Sequence, residues 1–234
     1  MITPSSNTVV EPVTAALTAA LYPAVSVHYT RIPVTAISLS QASQAQFETE
    51  TLVAAARLLA DAGMDAVVWN GTSGAWRGLD ADRRACDAIT AATGAPATTA
   101  TLAQIEAFER WGVRRYGLAV PYLPEVRDRI VATYGEAGYD AVNTALLARP
   151  IETNRAFAEV PHDEIRDLVR RADAPDAQAI AVICTNFPAA WLVAELEGAL
   201  GKPVFDSTLL AVWAGLRLAG IATRIGGWGR LFEG

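Results

Sequence analysis

Cys184 stands where the sequence pattern predicts that a buried strand ends and a helix begins. Residues 179–183 are all apolar, as in a strand covered on both faces, and apolar residues recur at helical spacing over 188–200. Beside a helix N-terminus, free N–H groups and the helix dipole favour anions, so a carboxylate ligand could be held there and a thiolate stabilised. Cys184 is therefore a candidate nucleophile or acid and base. The alternative is a small core residue, as for an isolated cysteine in an apolar run.

A second stretch of the chain has the same construction. A strand pattern over 65–70 ends on Gly71, Thr72 and Ser73 and leads into a segment that carries a tryptophan. Two further pairs of segments occur in the same order at nearly the same separation: 1–5 with 118–122, and 93–97 with 200–204. Three ordered pairs predict a duplicated unit. We therefore expect two similar α/β lobes with parallel sheets, related by a pseudo-twofold axis, with the active site in the cleft between them.

The remaining segments alternate between strand and helix patterns, as parallel α/β folds do. Strands are predicted at 1–3, 25–32, 65–70, 96–101, 116–120, 141–147, 178–184 and 203–206. Helices are predicted at 9–20, 44–62, 79–92, 102–111, 124–137, 162–172, 188–200 and 208–219. We expect the first lobe to comprise 1–112 with 207–234, and the second lobe 113–206. The Ser- and Gln-rich loop 38–46 is a candidate lid, although no local feature decides this.

Three polar residues at strand ends or in loops could bind a ligand. Asn7 follows the first predicted strand, Tyr122 follows the fifth, and Asn154 lies in the loop after the sixth. Each has a structural alternative: the asparagines could cap neighbouring helices, and Tyr122 could be a buried tyrosine with a backbone partner. The turn 71–74 matches neither a dinucleotide fingerprint nor a Walker loop, and Ala75 breaks the nucleophile-elbow pattern.

Composition narrows the function classes. With 234 residues, 52% of them hydrophobic, the chain suits one large or two small domains. A net charge of −6 argues against nucleic-acid binding. Two cysteines and two histidines form no zinc-like pattern, and neither a long apolar run nor a leader pattern occurs. We therefore expect a cytoplasmic protein, monomeric or homo-oligomeric, that uses no metal or cofactor and binds no membrane.

Several segments together resemble a known enzyme superfamily. Those similar to arylmalonate decarboxylases are 70–78, Cys184, 201–204, 210–220 and 229–232. Those similar to maleate cis–trans isomerases are 4–8, Tyr122 and Asn154. Both groups belong to the cofactor-independent aspartate/glutamate racemase superfamily. The resemblance covers nearly the whole chain and implies two Rossmann-like lobes with the active site between them.

One position departs from the superfamily pattern. The superfamily normally places one cysteine from each lobe across the cleft, whereas this chain keeps Cys184 and has Gly71 where the first would be. Racemisation needs an acid and a base on opposite faces of the substrate, and the isomerases are thought to use the first-lobe cysteine as a nucleophile. Decarboxylation leaves a carbanion that needs one proton donor. The resemblance therefore implies decarboxylation of a malonate-type dicarboxylate, with Cys184 as the acid.

The resemblance also implies how a substrate is held. Hydroxyl and N–H donors bind one carboxylate and then take up the charge of the enediolate. The implied substrate-binding residues are Pro4, Asn7, Gly71, Thr72, Ser73, Tyr122, Asn154 and Thr185. Thr185 and Asn186 stand where the decarboxylases have small glycines, which favours a smaller diacid. Isomerase or racemase activity, and carboxylate binding without catalysis, remain the alternatives.

Overall fold

The computed structural model describes residues 1–151 and 153–233 and contains two four-stranded parallel sheets. The first sheet has the order β2-β1-β3-β4, with β1 Ile2–Pro4, β2 Thr30–Ile32, β3 Val67–Trp69 and β4 Ala97–Thr99. The second has the order β6-β5-β7-β8, with β5 Arg115–Val120, β6 Asp140–Leu146, β7 Ala179–Val182 and β8 Val204–Asp206. The two orders are identical when the strands are numbered within each sheet, which confirms the α/β fold with two similar lobes.

Ten α-helices flank the sheets in the part of the chain that the structure describes. They are α1 Val10–Thr18, α2 Gln41–Gln44, α3 Thr49–Ala60, α4 Gly74–Arg77, α5 Leu79–Thr93, α6 Ala100–Arg110, α7 Pro124–Glu136, α8 His162–Ala172, α9 Val193–Leu200 and α10 Ser207–Leu218. None of the described helices is long and apolar enough to cross a membrane. The described residues contain no group of three His, Cys, Asp or Glu side chains able to hold a metal.

Equivalent local signals begin and end the helices in the two lobes. The Thr99 hydroxyl accepts a hydrogen bond from Leu102 N–H at the start of α6, and the Asp206 carboxyl caps α10 in the same way. Gly94 and Gly201 follow α5 and α9 in the left-handed conformation, with φ of 75° and 68°. The last strand of each sheet, β4 or β8, therefore passes directly into its helix, whereas turns of several residues follow the carboxyl ends of β1, β3 and β5.

The strand predicted at 25–32 is shorter than expected. Only Thr30–Ile32 forms β2, because its one neighbour in the sheet is β1, which is itself three residues long. A parallel ladder at a sheet edge cannot extend beyond its single partner. The preceding residues 25–29 run as irregular chain.

The helix predicted at 44–62 is interrupted. It is divided into α2, a 3₁₀ turn at Ala45–Phe47 and α3. The Gln46 side chain explains the break, because its carbonyl accepts from Thr35 N–H and its amide donates to the carbonyls of Ala36 and Ser43. Such side-chain bonds to the backbone compete with helix formation. The segment 33–48 is thereby folded back over the end of the first sheet.

The last helix and the tail pack back on the molecule. α10 follows β8 of the second sheet but packs on α6, β3 and β4 of the first. Leu231 and Phe232, in the 3₁₀ turn Arg230–Phe232, are buried against the protein, and Glu197 of α9 accepts from Arg230 N–H at 2.7 Å. The lobe boundaries at 113 and 207 remain a prediction.

Candidate active site

The carboxyl ends of the central strands of both sheets meet around one small cavity. Pro4 ends β1, and Gly71, Tyr122 and Cys184 each lie two residues beyond β3, β5 and β7. The cavity is lined by Pro4, Val34, Ile37, Phe47, Trp69, Gly71, Thr72, Trp76, Tyr122, Asn154, Cys184 and Thr185. Its volume is about 10 Å³, which is close to the space of one water molecule. The lining contains no Asp, Glu, Lys, Arg or His, and its titratable side chains are the Cys184 thiol and the Tyr122 phenol.

The Cys184 thiol is protonated in this cavity. The residue is 1% exposed, and burial raises the pKa of the thiol to about 12, while the nearby Tyr122 hydroxyl and the Asn186 N–H lower it by less. The expectation that a helix N-terminus stabilises a thiolate is therefore wrong. A 3₁₀ turn at Pro188–Leu192 precedes α9, and loss of solvation outweighs the N–H groups beside the sulfur. Cys184 is consequently suited to donate a proton.

Tyr122 joins the turn after β5 to the turn after β3. Its hydroxyl lies 3.0 Å from the Thr72 hydroxyl, and either oxygen can donate. Burial raises the pKa of Tyr122 well above 10, so the phenol stays neutral. The Trp76 ring packs edge-on against Tyr122 with centroids 5.5 Å apart, and among the described residues its indole N–H has no hydrogen-bond partner. These three side chains supply neutral donors to the cavity wall.

The space beside Gly71 is filled by an aromatic ring. A Cβ atom built on Gly71 would lie 2.1 Å from Cε2 and Cζ2 of Trp69, well inside van der Waals contact. The ring is fixed by complete burial and by a long bond of 3.5 Å from its N–H to the Ser73 hydroxyl. A side chain at position 71 is therefore excluded unless Trp69 moves.

A polar network crosses between the two lobes next to Cys184. The Thr185 hydroxyl donates to the Asn70 carbonyl at 2.9 Å and lies 3.3 Å from the Asn7 amide nitrogen. The Asn186 side chain accepts from Thr8 N–H at 2.9 Å and donates to the Asn154 carbonyl. These bonds fix the turn that carries Cys184 against the first lobe.

Seven of the nine predicted site residues line the cavity, and two do not. The seven are Pro4, Gly71, Thr72, Tyr122, Asn154, Cys184 and Thr185. The structure does not bring the Asn7 side chain to the cavity, because its carbonyl accepts from the N–H groups of Val9 and Val10 and its amide meets Thr185. Asn7 thus caps the start of α1, the alternative weighed for it. Ser73 does not line the cavity either, and its hydroxyl accepts a hydrogen bond from the indole N–H of Trp69.

The apolar wall of the cavity was not predicted from the sequence. Val34, Ile37 and Phe47 come from the segment 33–48 and cover one side of the cavity. Nothing in their spacing marks them, because they reach the site only through the fold of that segment. Trp69 and Trp76 were recognisable as flanking the Gly71 turn. The cavity is too small for a dicarboxylate unless part of the wall moves. Whether loop 38–46 acts as a lid stays a prediction.

Two larger hollows lie away from these residues. One, of about 260 Å³, is lined in part by Met1, His28 and Asp65 at the amino ends of the first-sheet strands. The other, of about 570 Å³, lies between α5 and α7 and includes Arg83 and Arg129. Ligands of parallel α/β sheets bind at the carboxyl ends of strands. The small cavity at Cys184 is therefore the candidate active site.

Comparison with known proteins agrees with this geometry. The family model for arylmalonate decarboxylase matches residues 1–232. Arylmalonate decarboxylase of Bordetella bronchiseptica is 34% identical over 188 residues, which are 79% of this chain and 78% of that protein. A crystal structure of arylmalonate decarboxylase superposes with a TM-score of 0.81 at 28% identity, covering 99% of this chain and 97% of the other.

A maleate isomerase shares the fold at lower identity. The maleate cis–trans isomerase of Nocardia farcinica, bound to TRIS, superposes with a TM-score of 0.87 at 21% identity, covering 99% of this chain and 96% of the other. At that identity the likeness concerns the fold alone. The match along nearly the whole sequence, with the turn of Gly71 and the turn of Cys184 at one cavity, assigns the family: this chain belongs to the arylmalonate decarboxylase family.

Proposed function

We propose that this chain decarboxylates malonate-type dicarboxylates without a cofactor, through an enediolate that Cys184 protonates. The observation that carries the proposal is the difference between the side-chain positions in the turn after β3 and the turn after β7. Cys184 offers a neutral thiol to the cavity, whereas the side-chain space at Gly71 is filled by Trp69. One acid on one side suits a reaction that must protonate a carbanion once.

Neutral donors would hold the carboxylate that remains. The Thr72 and Tyr122 hydroxyls share one hydrogen bond, so one further O–H of the pair is free to point at a ligand, and Thr185 lies beside them. The same donors take up the charge that develops on the enediolate as carbon dioxide leaves. A preorganised donor of this kind is typically worth about 3–4 kcal/mol in the transition state.

The carboxylate that leaves would sit against the apolar wall. Val34, Ile37 and Phe47 offer it no hydrogen bond, and the cavity contains no lysine or arginine to neutralise it. A poorly solvated carboxylate loses its negative charge when the carbon–carbon bond breaks and neutral carbon dioxide departs. The apolar wall therefore destabilises the bound dianion and favours its decarboxylation.

The proton balance needs only one protein group. The bond to the leaving carboxylate breaks, its electron pair is delocalised into the remaining carboxylate, and the S–H bond of Cys184 supplies the proton to the carbon. The product is a monocarboxylate with one new C–H bond, and the sulfur is left as a thiolate. Because the thiol approaches from one side, the new bond forms on one face.

Maleate isomerisation is the competing reaction within this fold. It is disfavoured because position 71 has no nucleophile and no room for one beside Trp69. Asn154 and Thr185 add polar atoms to the lining, which favours a short substituent over a large aryl group. Turnover of malonates with different substituents would identify the substituent that fits best.

Proton NMR in D2O tests the proposal with phenylmalonate, methylmalonate, maleate and aspartate, for the unaltered chain and for Cys184→Ala. We expect loss of carbon dioxide from a malonate with one deuterium incorporated, and none in the variant. Formation of fumarate from maleate, or exchange of the aspartate α-proton, would contradict it. Saturable binding of malonates without turnover, unchanged in Cys184→Ala, would indicate a carboxylate-binding protein.

A further inference from the structure

The Trp76 side chain carries a polar group in the cavity wall to which the reaction described above gives no task. The residue is 3% exposed and lines the cavity, and among the residues that the structure describes its indole N–H has no hydrogen-bond acceptor. A buried N–H without an acceptor is costly, so such groups are normally paired in native proteins. The N–H of Trp69, which lines the same cavity, is already bonded to the Ser73 hydroxyl. The N–H of Trp76 is therefore available to a ligand.

The ring of Trp76 is held next to the hydroxyl pair of Thr72 and Tyr122. Its backbone N–H donates to the Ser73 carbonyl at 3.2 Å, which anchors the residue to the turn that carries Thr72. The indole packs edge to face with the Tyr122 ring, with centroids 5.5 Å apart, and with the Phe47 ring, with centroids 6.0 Å apart. Contact with two aromatic rings restricts rotation of the indole, so its N–H is preorganised.

The other side chains of the cavity have few donors left for a carboxylate. The Thr185 hydroxyl already donates to a backbone carbonyl, and the Asn154 amide gives one of its two N–H groups to a serine hydroxyl. Thr72 and Tyr122 bond to each other, so the three hydroxyl groups of the lining leave one O–H for a ligand. A carboxylate can accept about four hydrogen bonds. The N–H of Trp76 would therefore supply a donor that the hydroxyl groups do not.

We propose that the Trp76 indole N–H donates a hydrogen bond to the carboxylate that the substrate retains, beside the free O–H of the Thr72–Tyr122 pair. In the bound dicarboxylate this group carries one negative charge on its two oxygens. When carbon dioxide leaves, the electron pair of the broken bond adds a second charge, until Cys184 protonates the carbon. The hydrogen bond is therefore stronger in the transition state than in the bound substrate, and it accelerates the chemical step. The inference rests on the proposed decarboxylation and makes Trp76 a further catalytic residue.

Steady-state kinetics with phenylmalonate and methylmalonate test this role in Trp76→Phe, which removes the N–H and keeps an aromatic ring. We expect kcat to fall by about ten- to a hundredfold, the usual effect of a hydrogen bond to a charged group, with little change in KM. The decrease should be equal for the two substrates, because both retain the same carboxylate. Trp213→Phe is the matched control, since Trp213 is 1% exposed, lies on α10 and does not line the cavity. It should keep its kcat.

The pattern of the losses separates a hydrogen bond from a change in the shape of the cavity. A loss for phenylmalonate alone, or a change confined to KM, would overturn the inference, because Trp76 would then only shape the space for the substituent. An unchanged kcat for both substrates would overturn it too. Absence of turnover in the unaltered chain would instead contradict the decarboxylase proposal, and binding of a carboxylate by Trp76 would then be decided by NMR.

Nitrogen-15 NMR of the unaltered chain gives a reading that needs neither turnover nor a variant that folds. The chain has six tryptophans, and contacts with the Tyr122 and Phe47 rings identify the indole signal of Trp76. Phenylacetate, the monocarboxylate that phenylmalonate would yield, should move the N–H proton signal of Trp76 downfield, as hydrogen bonding does. The uncharged control 2-phenylethanol should move it less. A Trp76 signal that stays in place at saturating phenylacetate would overturn the inference.

Discussion

The turn after β3 and the turn after β7 hold equivalent places in the two lobes, and they differ in every feature that matters for chemistry. The first carries Gly71, with the Trp69 ring in its side-chain space; the second carries the thiol of Cys184. Duplication supplies a symmetric frame that brings two turns to one cavity. The site is one-sided because the Trp69 ring occupies the side-chain space at Gly71, whereas Cys184 presents its thiol to the cavity.

The two turns also differ in the buried carboxyl group behind each. Asp82 packs against Gly74 and accepts a hydrogen bond from the Thr99 hydroxyl at the end of β4. Asp206 ends β8, the strand equivalent to β4, and has an oxygen without a partner in the described structure. The Thr99 hydroxyl binds the first carboxyl, whereas backbone N–H groups at the start of α10 bind the second.

The largest expected effect is the removal of the thiol. Cys184→Ala should lower the rate of carbon dioxide release by about 10²- to 10⁴-fold, the usual contribution of a positioned acid, with little change in thermal unfolding. Cys86 is the matched control, since it is also buried, with a pKa raised to about 12, but lies on α5. Cys86→Ala should keep its activity. Comparable losses in the two variants would break the assignment of the second turn.

Tyr122→Phe should cost somewhat less. It removes one hydroxyl donor from the pair with Thr72, and loss of such a donor typically lowers kcat by about 10²- to 10³-fold. Tyr134→Phe is a matched control because that tyrosine is also fully buried and its hydroxyl has no partner in the described residues. Steady-state kinetics should show a fall in kcat only for Tyr122→Phe. A change in KM alone would mean that Tyr122 binds the substrate and transition state equally.

The two buried carboxyl groups make folding stability depend on pH. Burial raises the pKa of Asp82 to about 6 and that of Asp206 to about 7, above the ordinary value of 3.8. The folded chain therefore holds more protons than the unfolded chain between about pH 4 and 7, so stability falls as the pH rises through that range. The decrease should be on the order of a few kcal/mol in urea unfolding.

Substitution separates the two contributions to that decrease. Asp206→Asn should remove the part of the decrease in stability that occurs close to pH 7. Asp82→Asn should remove the part that occurs at lower pH. A stability that rises from pH 4 to 7 in the unaltered chain would contradict the burial of both groups as neutral acids.

Gly71→Cys should give the smallest effect, a loss of about 1–3 kcal/mol in the free energy of unfolding, because its Cβ overlaps the Trp69 ring. Trp69→Ala alone leaves a cavity and is also destabilising. The double variant should be more stable than the sum of the two losses predicts, since each change relieves the other. Strict additivity would show that the ring does not fill the space at position 71.

Much of the frame was predictable from sequence because its signals are local. Buried parallel strands read as short apolar runs, and the turns that follow them begin with small or polar residues, which located Cys184, Gly71 and Tyr122. The symmetric order of segments predicted the two sheets. The cap made by Asn7 was also foreseen as one of two alternatives.

Other features depend on distant contacts and could not be read from the chain. Val34, Ile37 and Phe47 reach the cavity because side chains such as Gln46 fold the segment 33–48. The ring of Trp69 lies over Gly71 only in three dimensions. The stabilisation of a thiolate at Cys184 was mispredicted because a helix N-terminus is visible in the sequence, whereas complete burial of the sulfur is not.

The face to which the proton is delivered is the most direct test of a one-sided site. A malonate with two different substituents, methyl and phenyl, gives a chiral product whose enantiomers chromatography can separate. The unaltered chain should give one enantiomer, and Cys184→Ala should give no enzymatic product. Equal amounts of both enantiomers from the unaltered chain would contradict a single acid at Cys184 facing a position that Trp69 keeps closed.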